Sequence, residues 1–330
     1  MRKTLSLVVL GTVALAAAST GYHLIKEIAI GGDGGWDYLT ADSANRRLYV
    51  SHNTHVVVVD LDAGKVVGDI PDTQGVHGIA IAPALNKGFT SNGRANTVTV
   101  FDLKTLKAQV QVKTGDNPDS IRFEPVTSRV LTFNGRSNDS SVIDAKTNSV
   151  VATIPLKGKP EFSVADGRGK IYANLEDTNE IVEIDAAKAA VTKRYSIAPC
   201  DGPSGLAMDT KNRRLFSVCS NRVMAISDPD AGKVVATPAI GAGSDGVAFD
   251  VDRGMAFSSN GDGTMTIVQQ TGGKWDVAEN VATARGARTI TLDEKTHNLY
   301  LPVAQTAPAQ TSGGRATFIP NSFKVLVVGK

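Results

Sequence analysis

Seven chemistry-bearing residues recur at nearly constant intervals: Asp37, His77, Asp119, Glu161, Ser204, Asp245 and Arg288, spaced 40, 42, 42, 43, 41 and 43 residues apart. Each follows a glycine or a proline at close range, in GGWDY, GVHGI, NPDSI, KPEFS, GPSGL, GSDGV and GARTI. Gly and Pro fix a turn and so aim the side chain that comes after it. Gathered on one circle, these positions supply four carboxylates, an imidazole, a guanidinium and a hydroxyl. Imidazole with carboxylates can hold Ca²⁺, Mg²⁺ or Zn²⁺. It can also act as a general base toward a bound ester or lactone, with His77 as the base and Asp37, Asp119 or Glu161 as its partners. The same residues serve equally well by satisfying backbone groups and ordered water around a channel, one or two acids pairing with Arg288 and His77. No motif specific to one reaction chooses between these uses. The chain has no phosphate-binding loop, no G-x-S-x-G elbow and no metalloprotease helix. SNGDGTMT around Asp262 lacks the later Glu of a calcium-binding loop.

A second series closes a strand in every unit: His52, Asn92, Asn134, Leu175, Cys219, Asn260 and Val303. Its polar members His52, Asn92, Asn134 and Asn260 are expected on the same rim, with His52 and His77 both near Asp37 and Asp119. Trp36, in GGDGGW, either covers a ligand at the channel mouth or plugs the seam between the last and first units, and the plug is preferred. The stretch 303–322 is far longer than its counterparts and is a candidate lid. With five histidines in all, a multi-histidine metal centre is hard to build, and His23, His55 and His297 read as surface residues.

These residues need a frame that repeats every 42 residues or so, and the chain writes one. Strands reading VVVVD, VTVFD, SSVID, IVEID and MAISD end at Asp60, Asp102, Asp144, Asp185 and Asp228, with Gln269 in the sixth slot, at intervals of 42, 42, 41, 43 and 41. These acids are expected to hold tight turns by accepting backbone N–H bonds. Around them each unit holds four short β-type runs, as in HGIAIAP, KGFTSN, NTVTVFD and AQVQV. Four short antiparallel strands cannot bury both faces alone, whereas units packed face to face in a ring can. The expected fold is therefore all-β, a seven-bladed β-propeller of four-stranded antiparallel blades. The seventh unit has only three strands, TITLD, NLYLPVA and FKVLVVG. LIKEIAI, Leu24 to Ile30, is available to pair beside Phe323–Val328 and close the ring. Residues 22–330 then form a single domain.

The unit LYVSHNTHVVVVDLDAGKVVGDI, with its copies GFTSNGRANTVTVFDLKTLKAQVQV and VLTFNGRSNDSSVIDAKTNSVVATI, resembles the YVTN repeat of YncE-like seven-bladed propellers. The resemblance covers the chain from about residue 22 to its end. It implies the propeller fold and leaves activity open, because such propellers serve many tasks.

Residues 1–18 have a positive start at Arg2 and Lys3, an apolar run and the small residues Ala16 to Ala18, as in a cleaved signal peptide. The run is too short to span a bilayer, and no other stretch is long and apolar enough. Cleavage removes two of 35 basic residues and leaves 33 against 33 acids. A neutral chain with 5% aromatic residues lacks both the electrostatic footprint and the stacking platforms of a nucleic-acid binder. Cys200 and Cys219 fall on one rim of the expected propeller, so a disulfide is expected in an oxidising compartment; two separate, partly buried thiols are the alternative. The sequence thus describes an exported protein, periplasmic or secreted, with a ligand-binding rim made of Trp36, Asp37, His52, His77, Asn92, Asp119, Asn134, Glu161, Ser204, Asp245, Asn260 and Arg288. Its expected partner is a small molecule, a peptide or a cell-envelope protein. No cofactor is expected beyond a possible divalent cation. The rival is a lactonase-like hydrolase or a lyase built on His77 and the rim carboxylates.

Overall fold

Alternation of apolar and polar residues makes each unit a sheet with two half-buried faces, and the computed structural model shows how the faces are matched. It describes residues 19–32, 35–307 and 317–330; the signal-peptide expectation lies outside them, as do residues 308–316 of the candidate lid. Seven four-stranded antiparallel sheets form. Blade two is representative: Val76–Ala82 lines the axis, followed outward by Lys87–Asn92, Thr97–Asp102 and Ala108–Lys113. The seventh sheet is completed by the chain's start, His23–Ala29 pairing antiparallel with Lys324–Gly329, with Leu24 opposite Val328 and Ala29 opposite Lys324. No unpaired edge is left to splay the ring open between its first and last blades.

Among the described residues the core is divided into apolar clusters, one at each seam between blades. Tyr49, Val56, Val58 and Ile70 of blade one meet Val76, Ile79 and Phe101 of blade two, for example. Trp36 belongs to the cluster between blades seven and one, its ring stacked on Phe323 at 5.3 Å and tilted against Phe318 at 5.0 Å. It is the plug rather than a free cover. The seams are tight because glycines let inner strands approach: a Cβ on Gly205 would lie 2.9 Å from the Asp245 carbonyl oxygen. Polar stitches cross the same seams, Thr289 Oγ1 donating to the Asp37 carbonyl at 2.7 Å and Ser91 Oγ to that of Asp119 at 2.9 Å.

At the lower end of the propeller the turn after each inner strand carries a residue in the left-handed region just before the second strand: Arg46, Asn86, Ser128, Gly169 (with Gly167 as a second in the same turn), Arg213, Gly254 and His297. Several of these reach back to the acid that ends the preceding blade's inner strand. Arg46 donates to both Asp293 oxygens at 2.8 Å, His297 Nδ1 lies 2.8 Å from Asp250, and Gly169 N donates to Glu124 at 3.1 Å. His297 is therefore a clasp between blades six and seven, not a free surface residue. Asp250, Asp252 and His297 could geometrically hold an ion, but Asp250 is already spent on His297 and on the backbone of Asp252 and Arg253. The acids of the third strands cap turns at this end, Asp60 Oδ1 accepting from the backbone of Asp62 and Ala63, and Asp102, Asp144, Asp185 and Asp228 doing likewise.

Candidate functional site

The upper end differs because the inner strands begin irregularly. Pairing with the second strand skips between Val76 and Ile79, Pro118 and Ser120, Pro160 and Ser163, Pro203 and Leu206, and Ser244 and Gly246. The residues left without a partner include His77, Asp119, Glu161, Ser204 and Asp245. A bulge re-aims its side chain, and here all five turn toward the channel mouth. Asp37 and Arg288 precede the inner strands of blades one and seven and complete the circle.

Contacts around the circle are direct. His77 Nδ1 lies 2.5 Å from Asp37 Oδ2 and 3.1 Å from Asp119 Oδ1. Arg288 Nε donates to Asp245 at 2.7 Å, and a second guanidinium nitrogen lies 3.9 Å from Asp37. Ser204 Oγ donates to the Ser244 carbonyl at 3.3 Å. Glu161 finds a partner that the repeat did not reveal, Lys159 Nζ at 2.9 Å, which also pairs with Glu176.

Crowding several carboxylates around one axis has electrostatic consequences. Burial works against a charged His77, but the hydrogen bond to Asp37 and the charges of Asp119, Asp37 and Glu161 outweigh it and lift the imidazole to about 9. Asp119 touches the same nitrogen and is nevertheless raised to about 6, because burial and the charges of Asp37 and Asp245 exceed the pull of His77. Burial and the neighbouring Asp119 push Glu161 up to about 8 against the opposition of Lys159. Asp245 is raised by burial and Asp37, with Arg288 opposing.

Below the circle Tyr38 of blade one meets Phe162 of blade four edge to face, ring centroids 4.7 Å apart, and Arg122 lies 5.2 Å over the Phe162 ring. Together they separate the mouth from a cavity of about 410 Å³ lower in the channel, walled by Ile79, Ile121, Leu206, Val247 and Ile290. Burial brings Arg122 down to about 10.

Above the circle, over blades one to three, lies a second pocket of about 410 Å³ that includes Trp36, Asp37, His77, Arg94, Asn117, Arg136 and Arg288. Arg94 and Arg136 were missed in the sequence although a signal was present: the tripeptide Asn-Gly-Arg occurs twice, 42 residues apart.

The second expected ring does not form a ligand surface. His52, Asn92, Asn134 and Asn260 are buried to within 2% of complete and turn into the seams. Asn92 Nδ2 donates to Thr97 and Thr99, Asn134 to Asp139 and Ser141, and Asn260 to Thr264 and Thr266. Each thus ties its strand to the next. His52 packs on Phe323 and His55, 4.8 and 4.6 Å between ring centroids, away from Asp37 and Asp119. Burial and the neighbouring His55 lower its pKa, so it is a neutral core ring. His55 opens the next strand and lies 3.6 Å from Asp69. Cys200 and Cys219 are disulfide-bonded and buried, joining blade five to the connection that precedes it.

Asp37, His77 and Asp119 place one donor atom each within 4.8 Å of one another, enough to hold a cation. Their present bonding does not favour one, since Nδ1, the nitrogen facing both carboxylates, carries the proton that an ion would have to displace.

No family model matches the chain, and no curated protein does. Solved structures do. The chain is similar to Kuenenia stuttgartiensis hydrazine synthase, at 17% identity over 87% of this chain and 96% of that one, TM-score 0.71. A structure of U3-55K matches at 11% identity over 91% and 97% of the two chains, TM-score 0.77. The WD40 repeats of RRP9 match at 11% over 95% and 99%, TM-score 0.78. At these identities the likeness establishes the seven-bladed propeller fold and leaves the ligand open.

Proposed function

We propose that the protein is an exported binding or scaffold propeller of the YVTN-repeat, YncE-like kind, holding a small molecule, a peptide or a cell-envelope partner at the channel mouth. The observation that carries this reading is the pocket over blades one to three, a concave volume of ligand size with polar groups converging on it. Export is supported by the leader-like residues 1–18 and by the disulfide, which persists in an oxidising compartment. The rival reading as a hydrolase is less well supported. With its pKa lifted to about 9, His77 is mostly an imidazolium held by two carboxylates at neutral pH, which makes it a weaker candidate for the base.

Protein isolated from its own host tests this by native mass spectrometry, with Trp36 fluorescence read in a Trp275→Phe background. A small molecule or peptide that co-purifies, dissociates on denaturation and changes Trp36 emission when added back is the expected result. A chain with no bound mass, and with Trp36 emission indifferent to host extract, contradicts it.

A further inference from the structure

The mouth pocket is not evenly charged. Of its cationic groups, Arg288 is engaged by Asp245, and the Nδ1 side of His77 is engaged by Asp37 and Asp119. Arg94 and Arg136 are different. Among the described residues neither lies within ion-pair distance of a carboxylate, and the one side-chain contact of either guanidinium is a long bond from Arg94 to Asn53 Oδ1, at 3.4 Å. Both are exposed at their tips, yet their backbone is held in place. Gly93 N donates to Gly75 O, Gly135 N to Asn117 O and Arg136 N to Asp116 O.

The free side of His77 points into the same space. A Cβ on Gly93 would come within 2.6 Å of His77 Nε2 and 2.8 Å of Asn117 Oδ1. The glycine of the first Asn-Gly-Arg tripeptide therefore leaves room for the imidazole edge beside the Asn117 amide. Nε2 makes no hydrogen bond to any described residue, so the ring presents one unused donor to the pocket. Two guanidiniums and this donor, from the adjacent blades two and three, line one cavity, whose described carboxylate, Asp37, is already paired with His77. Guanidinium forks match the geometry of carboxylate and phosphate oxygens.

We propose that the mouth pocket over blades one to three binds a small molecule through an oxyanion group, a carboxylate or a phosphate, held between Arg94, Arg136 and His77 Nε2. The inference rests on the mouth-binding reading and narrows it to one ligand class. The pocket volume of about 410 Å³ lies near the small end of ligand cavities. Asp37, which lines the same pocket, and Asp119 are both paired with His77 Nδ1, and that pairing offsets part of their repulsion of the ligand's charge.

The test uses the mature chain, inorganic phosphate and citrate as probes, and sodium chloride to hold ionic strength constant. At least one probe raises the melting temperature and perturbs Trp36 emission in the Trp275→Phe background. Arg94→Gln with Arg136→Gln weakens that response at least about tenfold, the loss expected from removing charge-assisted hydrogen bonds, while leaving the ligand-free melting temperature unchanged. Preference for phosphate or for citrate identifies the oxyanion. Neither probe acting beyond matched chloride, or both acting equally on the double variant, overturns the proposal. A host-derived molecule that shifts Trp36 emission equally in wild type and double variant would leave the mouth a binding site while removing the oxyanion. If Trp36 responds to nothing, the mouth-binding reading fails as well.

Discussion

The two ends of this channel are built from the same repeat and use charge in opposite ways. At the lower end Asp293 is fully buried and bonded through both oxygens to Arg46. Burial would raise it, but its bonds to Thr296, Ser43 and Arg46 outweigh burial and hold its carboxyl below the ordinary range. At the upper end Asp119 and Glu161 also have cationic neighbours and are nevertheless raised. The difference lies in the number of like charges sharing the space. Each lower acid faces its own seam, whereas the upper acids face one another across an axis. A lower clasp stabilises the ring, while the upper circle keeps charge concentrated where a ligand can meet it.

The largest effect expected from this contrast is on Arg46→Ala, which leaves a buried carboxylate without its partner and costs about 3–5 kcal/mol in chemical denaturation. Arg288→Ala at the upper end, where the side chain is 41% exposed, is expected to cost under about 1 kcal/mol. Equal losses would erase the distinction between the two ends.

Next comes the disulfide, which staples the mouth on the side of blades four and five, away from the open pocket. Replacing both Cys200 and Cys219 by Ser is expected to lower stability by about 3 kcal/mol through the freed loop. The response of Trp36 to ligands should be unchanged. A lost response would mean that the two sides of the mouth are mechanically linked.

A smaller effect appears in the dependence of stability on pH. Asp119, Glu161 and His77 all hold their protons more tightly in the folded state, about 6 against 3.8, about 8 against 4.5 and about 9 against 6.5. For each group the stabilisation is complete below the ordinary value and is lost as pH rises through the folded one. Melting temperature is therefore expected to decline from about pH 4 to about pH 9 once the acid-side losses of Asp102, Asp144 and Asp293, whose carboxyls are lowered, have passed. Glu161→Gln should flatten the decline between about pH 4.5 and pH 8. An unchanged slope would show that the upper acids are not crowded.

Much of the fold was legible in the sequence because it is periodic. The Asp60 to Asp228 series, the missing strand of the seventh unit and Leu24–Ile30 as its replacement all follow from counting. The placement of Asn92, Asn134 and Asn260 did not follow. Strand periodicity gives alternation but not whether a strand's last residue faces the mouth or the seam. Here the partners decide it: Thr90-x-Asn92 against Thr97-x-Thr99, and Ser258-x-Asn260 against Thr264-x-Thr266. That pairing is written in the chain but is meaningful only once the hairpin register is known. Arg94 and Arg136 escaped notice because they sit just beyond the strand positions that the repeat brings into line. Lys159 stands two residues before Glu161, where the other units have Gly or Asn, so the repeat gave no reason to single it out.

Titration of the His77 ring by nuclear magnetic resonance tests the upper circle most directly. Expected is an imidazolium that persists through neutral pH with a midpoint of about 9, shifted toward the ordinary value in Asp37→Asn. A midpoint at or below 6.5 would contradict the paired circle, restore His77 as a candidate base and remove the Nε2 donor from the proposed anion site.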